Sequence, residues 1–343
     1  MSEAIWYFLQ TVADRPQLIL AAGLAAAVIL VNGATDASNA IAAAVGSGAI
    51  SFPRATALAA VGNLVGAIGA FVLSGAVART IGGIADFGAR PQQALTALCS
   101  ALAAIVIWAL AAWRFGIPTS ESHALVAALA GAALAMPGGW ANLRPGPWTQ
   151  VALGLVLSVG LGLWLGRASA RVLRRSPNLG DSFYRRAQVA GACLTALLHG
   201  AQDGQKFLGV LLLGASLVMG DNSLPAAPLW LAGLCALTMA LGTALGGRRI
   251  VERVGRDLVP LTLREGFAAD LGSGAALILC TVLGLPVSTT HTKTAAILGA
   301  GCEEGSHPNL ACARSIGLAW LLTFPGCGAL GYLLASGLGE LVL

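Results

Sequence analysis

Asn32-Gly33-Ala34-Thr35-Asp36 recurs 167 residues later as His199-Gly200-Ala201-Gln202-Asp203. Pro118-Thr119-Ser120-Glu121-Ser122-His123 recurs after 168 residues as Pro286-Val287-Ser288-Thr289-Thr290-His291. Two independent motif pairs at nearly one offset point to an internal duplication. The halves read as 1–140 and 187–305. Between them, 141–186 holds a span and an Arg-rich connection, and 306–343 adds a last span.

Around these motifs the chain is apolar. Of its 343 residues 57% are hydrophobic and 10% charged, with a mean hydropathy of +0.79. Soluble domains carry about a quarter of their residues charged, so lipid is the solvent this composition demands. Its 45 glycines suit helices that approach closely in a membrane. Apolar stretches run at about Leu18–Val45, Thr56–Val77, Ala94–Trp113, Ser122–Met136 and Trp148–Leu165. Others follow at Val189–Leu198, Phe207–Val218, Ala226–Leu245, Ala268–Leu283, Ala295–Ala300 and Ile316–Leu334. A span needs roughly 20 apolar residues, and several of these are shorter or cut by Gly and Pro. The expected fold is an all-α polytopic membrane protein, two inverted repeats with broken helices and re-entrant helical hairpins.

The net charge is +5 and is carried by Arg. Arg167, Arg171, Arg174, Arg175, Arg185 and Arg186 surround one connection; Arg248, Arg249, Arg253, Arg256 and Arg264 surround another. Cytoplasmic loops accumulate such residues, which explains them better than a nucleic-acid partner does. Met1–Gln10 lacks a basic n-region and a cleavage site, so no removable signal peptide is expected. Seven scattered cysteines without a CxxC pair argue against a disulfide framework or a zinc site. Cys302 and Cys312 flank a loop and form the one candidate pair.

Charged groups inside a membrane segment mark ion or substrate paths. Both lysines, Lys206 and Lys293, and three of the four histidines, His123, His199 and His291, fall in or beside the motifs. In the first motif class, Asp36 and Asn39 are matched by Asp203, Gln205 and Lys206. A carboxylate beside amide oxygens and freed carbonyls is a hard-oxygen set for Na⁺ or a proton; local capping or pairing at a helix break is the alternative. Lys206 reads as the partner of Asp203 or as a neutraliser of a bound anion.

In the second class, a proline stops one helix and suits the first turn of the next. The hydroxyl-rich start that follows offers free N–H groups and the positive end of a helix dipole, which suits an oxyanion. Ordinary N-capping by Thr119, Ser120, Ser288 and Thr289 competes with that reading. His123 and His291, one turn in, read as structural.

These segments resemble the PiT family of inorganic phosphate transporters. Its pattern N-G-x-N-D-A-A-N-A-I-A stands here as Asn32 to Ala42, and H-G-x-N-D-G-Q-K as His199 to Lys206. G-x-P-V-S-[ST]-T-H appears twice, as Gly116 to His123 and Gly284 to His291. The resemblance implies a cation-coupled phosphate symporter that dimerises and uses no cofactor. Ser120, Ser122, Ser288, Thr289 and Thr290 would hold phosphate, with Glu121 beside them. Asp36, Asn39, Asp203 and Gln205 would bind coupling Na⁺ or H⁺, Na⁺ above all at Asp36, Asn39 and Asp203. Asn32, His199, Lys206, His123 and His291 would support the motifs.

The chain departs from the pattern at Thr35 and Gln202, which replace Asn, and at Glu121, which replaces a hydroxyl. Glu121 is expected to carry a proton, to help hold a cation beside the anion, or to point away and favour the helix dipole. Asp270 aligns with an acidic position of the family and is a weaker candidate cation ligand. Sulfate is the rival cargo, although an ionised Glu121 or Asp36 accepting phosphate's remaining proton favours phosphate. An intramembrane Ser/His/Asp enzyme is the rival class; it lacks a G-x-S-x-G elbow and a unique nucleophile. Short loops and high Ala and Gly content suggest a bacterial chain in the cytoplasmic membrane.

Overall fold

The structure, a computed structural model, describes residues 16–73, 76–88, 90–219, 228–303 and 305–342; Met1–Gln10 lies outside them. Among the described residues the chain is helical, with one isolated β-bridge between Ala85 and Leu143. Helix α1 (Pro16–Thr35) and α2 (Ala37–Gly46) are separated only by Asp36. Asp36 keeps helical dihedrals (φ −73°, ψ −40°), and its N–H still reaches the Asn32 carbonyl at 2.9 Å. The two therefore act as one apolar rod.

There follow α3 (Phe52–Leu73), α4 (Ala76–Gly82), α5 (Pro91–Phe115), α6 (Glu121–Ala135) and α7 (Pro145–Arg175). The second half gives α8 (Asp181–Met219), α9 (Leu229–Leu245), α10 (Arg248–Glu252), α11 (Leu263–Val282), α12 (Thr289–Glu303) and α13 (Leu310–Val342). Six of these segments are long and apolar enough to cross a membrane, or seven if α9 and the 70°-bent stretch after it form one span.

Val189–Leu198 and Phe207–Val218 are separate apolar stretches in the sequence, yet α8 passes unbroken through both and through the motif between them. That motif contains no proline, and its glycines serve packing. A Cβ at Gly200 would strike the backbone of Asn63 on α3, and one at Gly204 would crowd Ala67. The true breaks fall at the prolines. Gly116 (φ 64°) and Gly284 (φ 67°) end α5 and α11 in the left-handed conformation. In both, the next N–H turns back to close the helix, Ile117 to Ala112 and Leu285 to Cys280, each at 2.9 Å. Pro118 and Pro286 then prevent the helix from resuming at once.

Helices α6 and α12 each have 15 residues. At 1.5 Å per residue that is roughly 22 Å, short of the ~30 Å hydrocarbon core, so each traverses only part of it. Helix α6 packs on α5 and α13, and α12 packs on α11 and α7. Gly131 and Gly299, equivalent in the repeat, make the closest crossings: a Cβ there would overlap the Gly328 and Leu163 carbonyls respectively. Helices α7 and α13, which the sequence reading left outside the repeats, thus hold the short helices in matching ways.

Polarity is turned inside out. Leu153, Val156, Trp164, Leu237, Leu241, Leu321 and Leu333 are exposed, whereas Asp36, Glu121, Asp203, Lys206, Asp270 and Lys293 are buried. Lipid-facing leucines around a charged interior are what a bilayer solvent selects. Several arginines fasten the ends of the helices. Arg185 donates to the carbonyls of Gly48 (2.6 Å) and Ala49 (3.2 Å), and Arg249 to that of Arg114 (2.8 Å). Arg167, Arg171 and Arg174 converge on Glu303, whose carboxyl is held below its usual range, chiefly by the Arg171 bond. All seven cysteines are free thiols, Cys302 and Cys312 included.

The α3–α8 crossing yields a stability prediction. A Cβ at Gly66 would overlap the Leu197 carbonyl, while one at Gly69 on the same helix meets nothing within 4 Å. Gly66→Val is expected to destabilise the fold by about 1–3 kcal/mol, the range for overpacking. Gly69→Ala should be neutral or gain up to about 1 kcal/mol from helix propensity. Thermal melts in detergent check the contrast, and equal melting of the two variants would refute it.

Candidate functional site

The hydroxyl-rich starts of α6 and α12 meet at the centre of the protein. Ser120 and Ser288 cap them, each accepting the N–H of the histidine three residues on, at 3.4 Å for His123 and 3.1 Å for His291. The two caps also touch: the Ser288 hydroxyl donates to that of Ser120 at 2.8 Å. The His123 and His291 rings lie 4.3 Å apart. Residues one repeat apart are therefore in contact, and two positive helix ends converge on one point. Such a point attracts an anion from both sides.

Around it sit the first-class motifs. Asp36, His199 and Asp203 each bring an atom within 4.8 Å of the others. Asp36 Oδ1 accepts the Thr290 hydroxyl at 2.8 Å, and Oδ2 accepts the Glu121 N–H at 3.2 Å. Asn39 Nδ2 donates to Thr290 Oγ1 at 3.1 Å. Asp203 Oδ1 receives Lys206 Nζ at 2.6 Å; its Oδ2 receives Asn32 Nδ2 at 3.1 Å and lies 3.2 Å from His199 Nε2. Lys206 also donates to Ser122 Oγ, so both serine-threonine motifs are tied to an acidic one.

Glu121 is fully buried. Thr35 Oγ1 lies 3.4 Å from Glu121 Oε1, but its single proton has a better acceptor in the Val31 carbonyl at 2.8 Å. Glu121 Oε2 has no partner, nor have Asn32 Oδ1, Asn39 Oδ1 and Gln202 Oε1. Buried acceptors without donors fit a bound cation or proton. This donor set is hard oxygen, which suits Na⁺ or H⁺ and not a soft metal.

The remaining candidate side chains meet other groups or none. Gln202 donates to Thr281 (2.8 Å), Gln205 accepts the Val77 N–H (3.3 Å), and the Thr289 hydroxyl has no partner. Asp270 pairs with Lys293, which also reaches Ser273. Several supports escaped the sequence reading because they lie outside the motifs. Asn63 Oδ1 lies 2.9 Å from His199 Nδ1. Ser158 in mid-α7 accepts the Ser288 N–H at 2.9 Å, and Trp320 on α13 donates to the Pro118 carbonyl at 3.0 Å. Asn63 and Ser158 each carried a signal, a polar side chain in an otherwise apolar stretch.

Two half-length helices meeting end to end beside buried acids, inside a lipid-facing helical shell, define a membrane transporter of the broken-helix type. The chain belongs to the phosphate transporter family: a model of that family matches residues 32–180 and 175–331. It is 34% identical over 325 residues to a probable low-affinity inorganic phosphate transporter of Mycobacterium leprae (strain TN), covering 92% of this chain and 76% of that one. A protein of the same description from Bacillus subtilis (strain 168) is 34% identical over 311 residues, 88% of this chain and 91% of its own. A solved structure described as the sodium-dependent phosphate transporter superposes with a TM-score of 0.84 at 23% identity, over 96% of this chain and 100% of that one. That last likeness concerns the fold. The intramembrane-enzyme reading falls with the family.

Proposed function

We propose that this protein is a symporter that carries inorganic phosphate across the cytoplasmic membrane together with Na⁺ or H⁺. The observation that carries the reading is the Ser120–Ser288 contact, which aims two helix starts at one point beside Asp36 and Asp203. Phosphate would displace the Ser288–Ser120 bond and accept from Ser120, Ser122, Ser288, Thr289 and Thr290. The exchangeable cation would lie at Asp36 with Asn39, Thr35 and Glu121. Asp203 would lie beside it, with Gln202 and Gln205 on the same helix, and Asp270 is neutralised by Lys293.

The repeats are inverted in this reading. Helix α5 ends at the arginine face, where Arg249 holds the Arg114 carbonyl, whereas its counterpart α11 begins just after the Arg-rich α10 segment. A homodimer is part of the proposal. Uptake of radiolabelled phosphate into proteoliposomes tests it, under separate Na⁺ and proton gradients with sulfate as competitor. Uptake that resists sulfate supports the reading, and the productive gradient names the cation. Sulfate uptake without phosphate uptake would move the protein to the rival oxyanion.

Glu121→Gln is expected to raise the cation concentration for half-maximal uptake about tenfold, equivalent to ~1.4 kcal/mol, and to move the phosphate KM less. A larger shift in the phosphate KM would instead place the Glu121 carboxylate against the anion.

A further inference from the structure

Among the repeat positions at which the two halves differ inside the site, one exchanges an amide for a basic side chain. Asn39 in the first half corresponds to Lys206 in the second. Their surroundings match: Asn39 touches Thr290, and Lys206 touches Ser122, the repeat counterpart of Thr290. What differs is charge.

Lys206 is 1% exposed. Its ammonium donates to Asp203 Oδ1, Ser122 Oγ and the Val287 carbonyl, all at 2.6 Å. An ammonium has three donors, so all are used, and every acceptor is an oxygen. One is a carboxylate, one a hydroxyl, and one a carbonyl freed where the chain unwinds after Pro286. That is the ligand set of a small hard cation at a broken helix. The counterpart set in the first half, Asp36 and Thr290 with the Asn39 amide, lacks any covalently attached cation and keeps Asn39 Oδ1 without a donor.

We propose that the Lys206 ammonium is a tethered cation, permanently filling one of two repeat-related cation positions and leaving the Asp36–Asn39–Thr290 position as the exchangeable one. This rests on the transporter reading above and deepens it. Asp36, Glu121 and Asp203 gather three carboxylates around the anion point, and an anion adds more negative charge. Uncompensated buried charge is costly, so cations must accompany the anion. Lys206 supplies one that is never released, and each cycle then moves one cation fewer than a site with two exchangeable positions. Because Lys206 contacts a residue from each anion-binding motif, it also holds the two helix starts together.

Lys206→Asn makes the halves alike at this position and tests the idea; Lys206→Gln, which fills more of the vacated volume, stands in should Asn not fold. The readout is equilibrium binding of radioactive Na⁺ to purified protein. Either variant is expected to bind one more Na⁺ per chain than the wild type. Equal Na⁺ stoichiometry in variant and wild type overturns the proposal, and a raised phosphate KM alongside it would make Lys206 a direct phosphate ligand. A third measurement needs no variant: phosphate uptake by the wild type should depend on the coupling cation to first order, and second-order dependence overturns the proposal. Absence of wild-type phosphate uptake would fail the transport reading alone, since the Na⁺ count is read without transport.

Discussion

Asp203→Asn is expected to lower phosphate uptake by about two orders of magnitude or more, the rate equivalent of ~3 kcal/mol, and to lower the melting temperature as well. Asp203 is fully buried and answers Lys206, Asn32 and His199 at once. An amide keeps the shape but removes the charge, and its NH₂ must face at least one of those donors. Removing one partner of a buried ion pair costs about 3–5 kcal/mol, and an unpaired charge in mid-membrane costs about 2.5–3.5 kcal/mol on insertion scales. Lys206 would be left holding Ser122 and the Val287 carbonyl without a counter-charge. The double variant Asp203→Asn with Lys206→Met separates stability from function. It should recover most of the lost melting temperature and none of the uptake, because the site still lacks the Asp203 carboxylate and the Lys206 ammonium. Asp203→Asn protein that keeps more than a tenth of wild-type uptake would remove Asp203 from the site.

Much of this site could be read from the residues because duplication wrote it twice. Pro118 and Pro286 each stand two residues after a glycine, and hydroxyls follow each proline; that is a local rule of chain geometry, and the structure obeys it at both places. The meeting of Ser120 with Ser288 is a long-range fact, yet equivalent residues approaching one another is what a duplicated fold with its site between the halves produces. Other features had no local signature. Gly200 and Gly204 look like helix breakers in the sequence, but the close face of α3 makes them packing residues and keeps α8 whole. Ser158 and Trp320 support the helix starts from α7 and α13, at sequence distances no motif spans. Asp270 aligns with an acidic position and is a weaker candidate cation ligand. Its actual neighbour, Lys293, lies on the next helix, and only the turn of α11 against α12 shows that the two charges meet.

That second pair carries the other large expectation. Lys293 and Asp270 are both buried, and they bond to each other with Ser273 beside them. One repeat earlier, their counterparts are Leu125 and Leu102, also buried, in the main apolar core. The same packing position thus tolerates two leucines in one half and an ion pair in the other. Lys293→Leu alone is expected to cost about 3–5 kcal/mol, because it strands the Asp270 carboxylate in the core. Lys293→Leu with Asp270→Leu should restore most of that loss, since replacing a buried pair by apolar residues is often neutral or stabilising by about 1–4 kcal/mol. Uptake then says what the pair is for. If the double variant is stable and transports phosphate with unchanged cation dependence, the pair is structural. If it is stable but its cation dependence shifts, Asp270 belongs to the coupling path as its alignment suggested. A double variant less stable than either single one would mean that the second half packs this position differently from the first, against the equivalence that the repeat asserts.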